Sequence, residues 1–142
     1  MSKTNKIRVL ALGVIRDRDR IFLSEGYDPI KKEYFYRALG GGVNFGETSL
    51  SALHREFQEE LQTDLMNIYY LGCLESLFVF NGKPKHEILQ LYQCNLANAK
   101  FYQLDEVMFQ EGKRQKKALW LKRDRCLSGE LNIVPKSFLK YL

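Results

Sequence analysis

Hydrophobic and polar positions along the chain divide it into runs of different period. The run IRVLALGVI, residues 7–15, is almost wholly apolar and reads as a largely buried strand, with RDRDR as the turn into a partner strand, IFLSE. YDPIKKE is a loop marked by Asp28-Pro29, and YFYRAL, residues 34–39, is a strand running into three glycines. From Thr48 the period changes. Leu50, Leu53, Phe57 and Leu61 recur at intervals of three and four, which is one face of a helix, and the hydroxyl of Thr48 or Ser49 can cap it. Two long apolar and aromatic runs follow, IYYLGCLESLFVF and HEILQLYQCNL, and the Asn81-Gly82 turn between them predicts a hairpin. FYQLDEVMFQEGKRQKK is polar and irregular and reads as a loop. Residues 118–121 start a strand that then turns helical, and PKSFLKYL closes the chain as a short helix with Pro135 in its first turn. Strands on both sides of a helix, with a second helix late, predict one mixed α/β domain over residues 1–142.

Composition narrows the class. The 142 residues suffice for one core without staples. A net charge of +5 permits an anionic partner without demanding one. Its basic residues gather at Arg16, Arg18 and Arg20 and again over residues 113–125, but Asp17, Asp19 and Asp124 intersperse them. That mixture reads as solvated surface, and nucleic acid is not the expected partner. Cys73, Cys94 and Cys126 form no Cys-x-x-Cys pair, so buried free thiols in a reducing cytosol are expected. The apolar run at residues 7–15 is too short to span a membrane and no export cleavage site accompanies it, so a cytoplasmic protein without a membrane partner is expected.

The candidate chemistry lies in GGGVNFGETSLSALHREFQEEL, residues 40–61. Glu56, Glu59 and Glu60 stand at i, i+3 and i+4 of the predicted helix, within about 100° of arc. Carboxylates one turn apart repel and weaken a helix by a few tenths of a kcal/mol per pair. Taken alone, the cluster reads either as a solvated acidic face or as a seat for a hard cation, which takes oxygen ligands. Its surroundings favour the second. The glycines let backbone approach a ligand closely, and Arg55 can neutralise Glu47 and hold the preceding loop against the helix.

This stretch resembles the Nudix box, Gly-x5-Glu-x7-Arg-Glu-U-x-Glu-Glu-x-Gly-U, where U is aliphatic. Gly41, Glu47, Arg55, Glu56, Glu59 and Glu60 match at the required spacing. Phe57 stands in the first U position, Gln62 replaces the glycine, and Thr63 replaces the last aliphatic residue. The resemblance to this MutT-like hydrolase family implies a single-domain α/β/α sandwich with a mixed β-sheet. It implies a pyrophosphohydrolase acting on a nucleoside diphosphate linked to another moiety: a nucleoside triphosphate, ADP-ribose or a dinucleoside polyphosphate. It implies Mg²⁺, with Mn²⁺ an alternative, on Glu56, Glu59 and Glu60 with the Gly41 carbonyl as a further ligand. Arg55 and Glu47 would brace the loop. The general base would be Glu56 or, from the hairpin beside His86, Glu87. Family members also pair as homodimers. Phe78, Phe80 and Tyr92 read as core rather than base-stacking residues, Trp120 as core or a lid over it, and His54 as surface or packing. The competing reading is a non-catalytic Nudix-fold module that binds nucleotides or RNA.

Overall fold

The computed structural model describes residues 5–142; residues 1–4, within the polar opening segment, lie outside the described residues. The first apolar run becomes strand β1 (Ile7–Asp17), buried from Leu10 to Ile15. It needs no polar relief because it is central. Along it lie β6 (Lys83–Leu96), in parallel, and β4 (Leu39–Gly42) and β2 (Arg20–Asp28), both antiparallel. A strand covered on both faces reads as continuous apolar sequence. The predicted strand over residues 34–39 is instead broken at Ala38. Its first part, β3 (Glu33–Arg37), pairs with β2, and β4 pairs with β1. That break delivers the glycines to the middle of the sheet.

The hairpin of β5 (Leu65–Phe80) and β6 turns on Asn81 and Gly82, whose φ values of 51° and 75° suit a two-residue primed turn. The segment read as a loop after it is a second hairpin, β7 (Glu106–Glu111) and β8 (Arg114–Lys122), turning at Gly112 with φ 61°. The correction has a physical cause. Phe109, Ala118 and Leu121 supply its buried contacts, while residues 110–117 between them are all polar or glycine, so that stretch carries no apolar signal. The strand expected at residues 118–121 is the end of β8. The sheet runs β5-β6-β1-β2-β8-β7, with β3 and β4 attached to β2 and β1.

Alternation along β1 feeds two cores. Ala11 and Ile15 meet helix α1 (Ser49–Leu61) through Ala52, Leu53, Phe57 and Leu61. Leu10, Leu12 and Val14 meet Cys126 of the short helix α2 (Arg123–Leu127), Ile133, and Phe138 of the C-terminal 3-10 turn (Lys136–Tyr141). The result is an α/β/α sandwich with a mixed sheet. Leu50, expected on the apolar face of α1, is exposed, and Ala52 is buried in its stead. Pro135 precedes the last helical turn rather than entering it. Cys94 and Cys126 are buried as expected, but Cys73 is exposed. Burial pushes the Cys94 thiol up to about 12, so it stays protonated and packs as a small apolar group. No helix among the described residues is long and apolar enough to cross a membrane.

Phe57 is the key of α1 to the sheet. A Cβ on Gly13 would lie 3.0 Å from the Phe57 ring and 3.0 Å from Cys94 Sγ, so the bare strand backbone admits the ring. Phe57→Ala should cost about 3–5 kcal/mol in urea unfolding. A cost under about 1 kcal/mol would mean that the helix is not anchored by this residue.

Candidate active site

Helix α1 starts where Thr48 accepts a hydrogen bond from the Ser51 amide at 3.1 Å. It ends at Gln62, which adopts the left-handed conformation (φ 51°, ψ 45°) and donates its amide to the Gln58 carbonyl at 3.1 Å. Gln62 therefore takes the C-terminal turn that glycine takes more readily.

Arg55 points back over the glycine strand. Its Nε donates to both Glu47 oxygens at 3.2 and 3.1 Å. One terminal nitrogen donates to Glu47 at 2.6 Å and to the Gly42 carbonyl at 2.8 Å; the other donates to Glu56 at 3.0 Å. Glu47 also accepts the Asn44 amide at 2.9 Å. The Arg55 guanidinium, then that amide, hold the Glu47 carboxyl below the usual carboxylate range. Loop, strand and helix thus share one charge-assisted network.

In front of the network lies a cavity of about 270 Å³, whose lining includes Gly40, Gly41, Gly42, Glu56, Glu60, Glu87 and Glu111 with Arg8, Arg37 and Lys116. Gly41 is required here for space. A Cβ on it would stand 2.3 Å from the Glu56 carboxyl carbon. Glu60 is buried, and neither of its carboxylate oxygens finds a hydrogen-bond donor. Burial, then the charges of Glu111 and Glu56, push its pKa up to about 9. The carboxyl groups beside it can donate to it only if one of them carries a proton.

The box glutamates do not share one environment. Glu56 and Glu60 line the cavity, whereas Glu59 is exposed and leans on Arg55 at 3.3 Å. Glu47 and Arg55 sit behind the wall. Glu87 is buried on β6 and reaches the cavity, but its carboxylate is paired with Arg37 at 2.9 Å. His86 points elsewhere, to Glu75 across the hairpin at 2.8 Å. Tyr92 is buried, its hydroxyl 2.5 Å from that of Ser49, and Phe80 packs edge-on against Phe35 at 5.7 Å. Trp120 lies under the Arg20 guanidinium at 4.4 Å and donates its indole N–H to the Phe101 carbonyl. None of these rings lines the cavity.

Glu111, Arg8, Arg37 and Lys116 were not singled out as site residues from the sequence. Glu111 was hidden by the loop reading of its segment. The Glu-Gly pair at the β7–β8 turn, with Phe109 and Glu111 two residues apart, is the signal that marks it.

The donor set fits a hard divalent cation. Two orphaned oxygens on a buried carboxylate, two further carboxylates against it and a bare glycine strand make an oxygen-rich seat. Among the described residues no three ligand-type side chains are already closed into a cage, so the fit rests on Glu60.

A model of the NUDIX domain matches residues 4–124, and the chain belongs to that family, a class of hydrolases acting on acid anhydrides in phosphorus-containing compounds. Solved structures share the fold. A NUDIX hydrolase from Nitrosomonas europaea superposes with a TM-score of 0.63 at 17% identity, over 95% of this chain and 85% of that one. A MutT NUDIX hydrolase from Burkholderia pseudomallei gives 0.61 at 22%, over 84% and 86%. An ADP compounds hydrolase gives 0.56 at 15%, over 87% and 63%. No curated protein matches the sequence significantly.

Glu60 predicts a pH signature. Its folded pKa of about 9 lies above the ordinary 4.5, so the folded state keeps a proton that the unfolded state releases. Stability should therefore fall as pH rises through that window. Glu47 works in the opposite sense: its lowered pKa gives stability that is lost only on acidification. In EDTA, Glu60→Gln should melt above wild type at pH 8, with the gap shrinking toward pH 5. Parallel pH dependences for the two proteins would contradict the burial of a carboxylate at this position.

Proposed function

We propose that the protein is a pyrophosphohydrolase dependent on Mg²⁺ or Mn²⁺, cleaving a nucleoside diphosphate linked to another moiety in the cytoplasm. The observation that carries this reading is the buried Glu60 carboxylate with no donor for either oxygen. A structural carboxylate would be paired or placed in water. Nucleoside triphosphates, ADP-ribose and dinucleoside polyphosphates all remain within the reading, and the relative named for ADP compounds supports the inclusion of ADP derivatives.

Glu56 and Glu60, with Glu111 and the Gly41 carbonyl, would hold the cation, and Glu59 would contribute from the outer side of the helix. When bound, the cation supplies charge neutralisation at the diphosphate and acidifies water. The chain's own residues do the rest. Arg55 and Glu47 fix the glycine strand against α1, which sets the distance between backbone and carboxylates. Arg55 holds Oε1 of Glu56, which keeps that carboxylate on the cavity wall with Oε2 left for the cation. The glycines keep the wall bare, so that a diphosphate can lie against backbone.

Phosphate or pyrophosphate release from a nucleotide panel should need Mg²⁺ and stop in excess EDTA. Hydrolysis undiminished by chelator would refute the metal role. Glu60→Gln should lose about a hundredfold or more in kcat, since a metal ligand supplies several kcal/mol to the transition state. A folded variant with near wild-type turnover at saturating Mg²⁺ would show that the box is not used in this way.

Glu47→Ala and Arg55→Ala should be strongly non-additive in kcat/KM, because either change dismantles the same brace. Two independent surface charges would instead give additive losses of at most about 1 kcal/mol. A double-mutant cycle with coupling near zero would leave the brace without a catalytic consequence.

A further inference from the structure

Glu87 and Arg37 form a charge pair on the wall of the same cavity, the carboxylate buried and the guanidinium half-buried. Glu87 is 6% exposed and its one side-chain partner among the described residues is the Arg37 guanidinium, at 2.9 Å. Such a pair adds little stability over two apolar residues of similar size, because the Glu87 carboxylate is desolvated. Its retention needs another reason, and the free donors of Arg37 supply it. A guanidinium carries five N–H groups, and one Arg37 terminal nitrogen is engaged by Glu87 while the group lines the cavity.

The strand arrangement fixes the backbone of Arg37, and Glu87 fixes its side chain. The Arg37 carbonyl accepts the Ser24 hydroxyl at 3.3 Å, and Arg37 stands opposite Ser24 in the β2–β3 register. Glu87 then sets the side-chain direction from β6. Arg8 adds a second cation. It is in register with Glu87 across β1 and β6, a Cβ on Gly42 would lie 2.8 Å from its Nη2, and it makes no ion pair among the described residues. The cavity lining thus sets Arg37 and Arg8 among the carboxylates of Glu56, Glu60, Glu87 and Glu111, while its third cation, Lys116, is paired with Glu111 at 3.5 Å. Carboxylates cannot contact a phosphoryl oxygen directly, whereas a planar fork held in place matches two of its oxygens.

We propose that Arg37 binds a phosphoryl group of the diphosphate directly, with Arg8 beside it, and that Glu87 is the residue that positions Arg37. This deepens the proposed function and rests on it for the identity of the anion. It also gives Glu87 a role other than proton transfer. Its Oε1 accepts from Arg37, and that contact sets the direction of the guanidinium.

Inorganic pyrophosphate, titrated calorimetrically into the protein in EDTA, tests the proposal without turnover. Removing Arg37 alone would strand a buried carboxylate and endanger the fold. The decisive variant is therefore Arg37→Ala combined with Glu87→Gln, which removes both charges. It should bind pyrophosphate at least about tenfold more weakly, as expected for loss of a charge-assisted contact. Arg37→Lys should fall between. Glu87→Gln alone keeps the guanidinium but loosens it, so in hydrolysis KM should rise severalfold while the shape of the pH-rate profile is kept. Wild-type pyrophosphate affinity in the double variant would overturn the proposal, as would a Glu87→Gln enzyme that loses a limb of its pH profile with KM unchanged. The two readings fail separately. Arg37-dependent pyrophosphate binding in a protein that hydrolyses no nucleotide would uphold this inference and remove the proposed activity. Hydrolysis with pyrophosphate binding indifferent to Arg37 would do the reverse.

Discussion

Repulsion among carboxylates is the constraint around which the site is arranged. Glu60 is buried with the charges of Glu111 and Glu56 against it, and its own pKa is driven to about 9. A sheet and helix chosen for stability alone would not place it there. The surrounding structure therefore has to hold the group in place. Phe57 and Leu53 anchor α1 to β1 on the apolar side, so the helix cannot rotate Glu60 out to solvent. The β7–β8 hairpin brings Glu111 toward the helix from a distant part of the chain. Groups that lower stability in this manner are found where function requires them.

The second requirement is a wall without side chains. Breaking the strand at Ala38 lets β3 stay with β2 while β4 crosses to β1, which sets Gly40, Gly41 and Gly42 beside the carboxylates. Gly40 carries a φ of 143°, and a Cβ there would meet the Ala11 carbonyl at 2.0 Å, so its position is closed to other residues by backbone as well as by space. Arg55 then ties this strand to the helix through the Gly42 carbonyl and ties the loop to both through Glu47. The same side chain also takes up part of the charge of Glu56 and Glu59. Brace and charge relief are a single residue's work.

Much of this could be read from the residues in order. The three- and four-residue period gave the helix, its cap was narrowed to Thr48 or Ser49, of which Thr48 takes the place, and the eight-residue separation of Glu47 and Arg55 anticipated their contact. Local rules of this kind reach as far as one element and its neighbours. They do not separate Glu59 from Glu60, which differ by 100° around the helix and end up exposed and buried. That distinction depends on which side of α1 meets the sheet edge. Arg8, Arg37, Glu87 and Glu111 come from four strands, and only the sheet order brings them to one cavity. Most of the β7–β8 hairpin escaped because its apolar residues lie in two blocks, 107–109 and 118–121, on either side of a wholly polar turn region, without the alternation that marks a strand.

The central claim is that Glu60 is the seat of a divalent cation. Titration of Mn²⁺ into the protein, with free Mn²⁺ followed by electron paramagnetic resonance, addresses it without any substrate. The account predicts saturable binding by wild type, a loss of at least about tenfold in affinity with Glu60→Gln, and a clear weakening with Glu111→Gln. Binding of Mn²⁺ by a folded Glu60→Gln protein with wild-type affinity would contradict it.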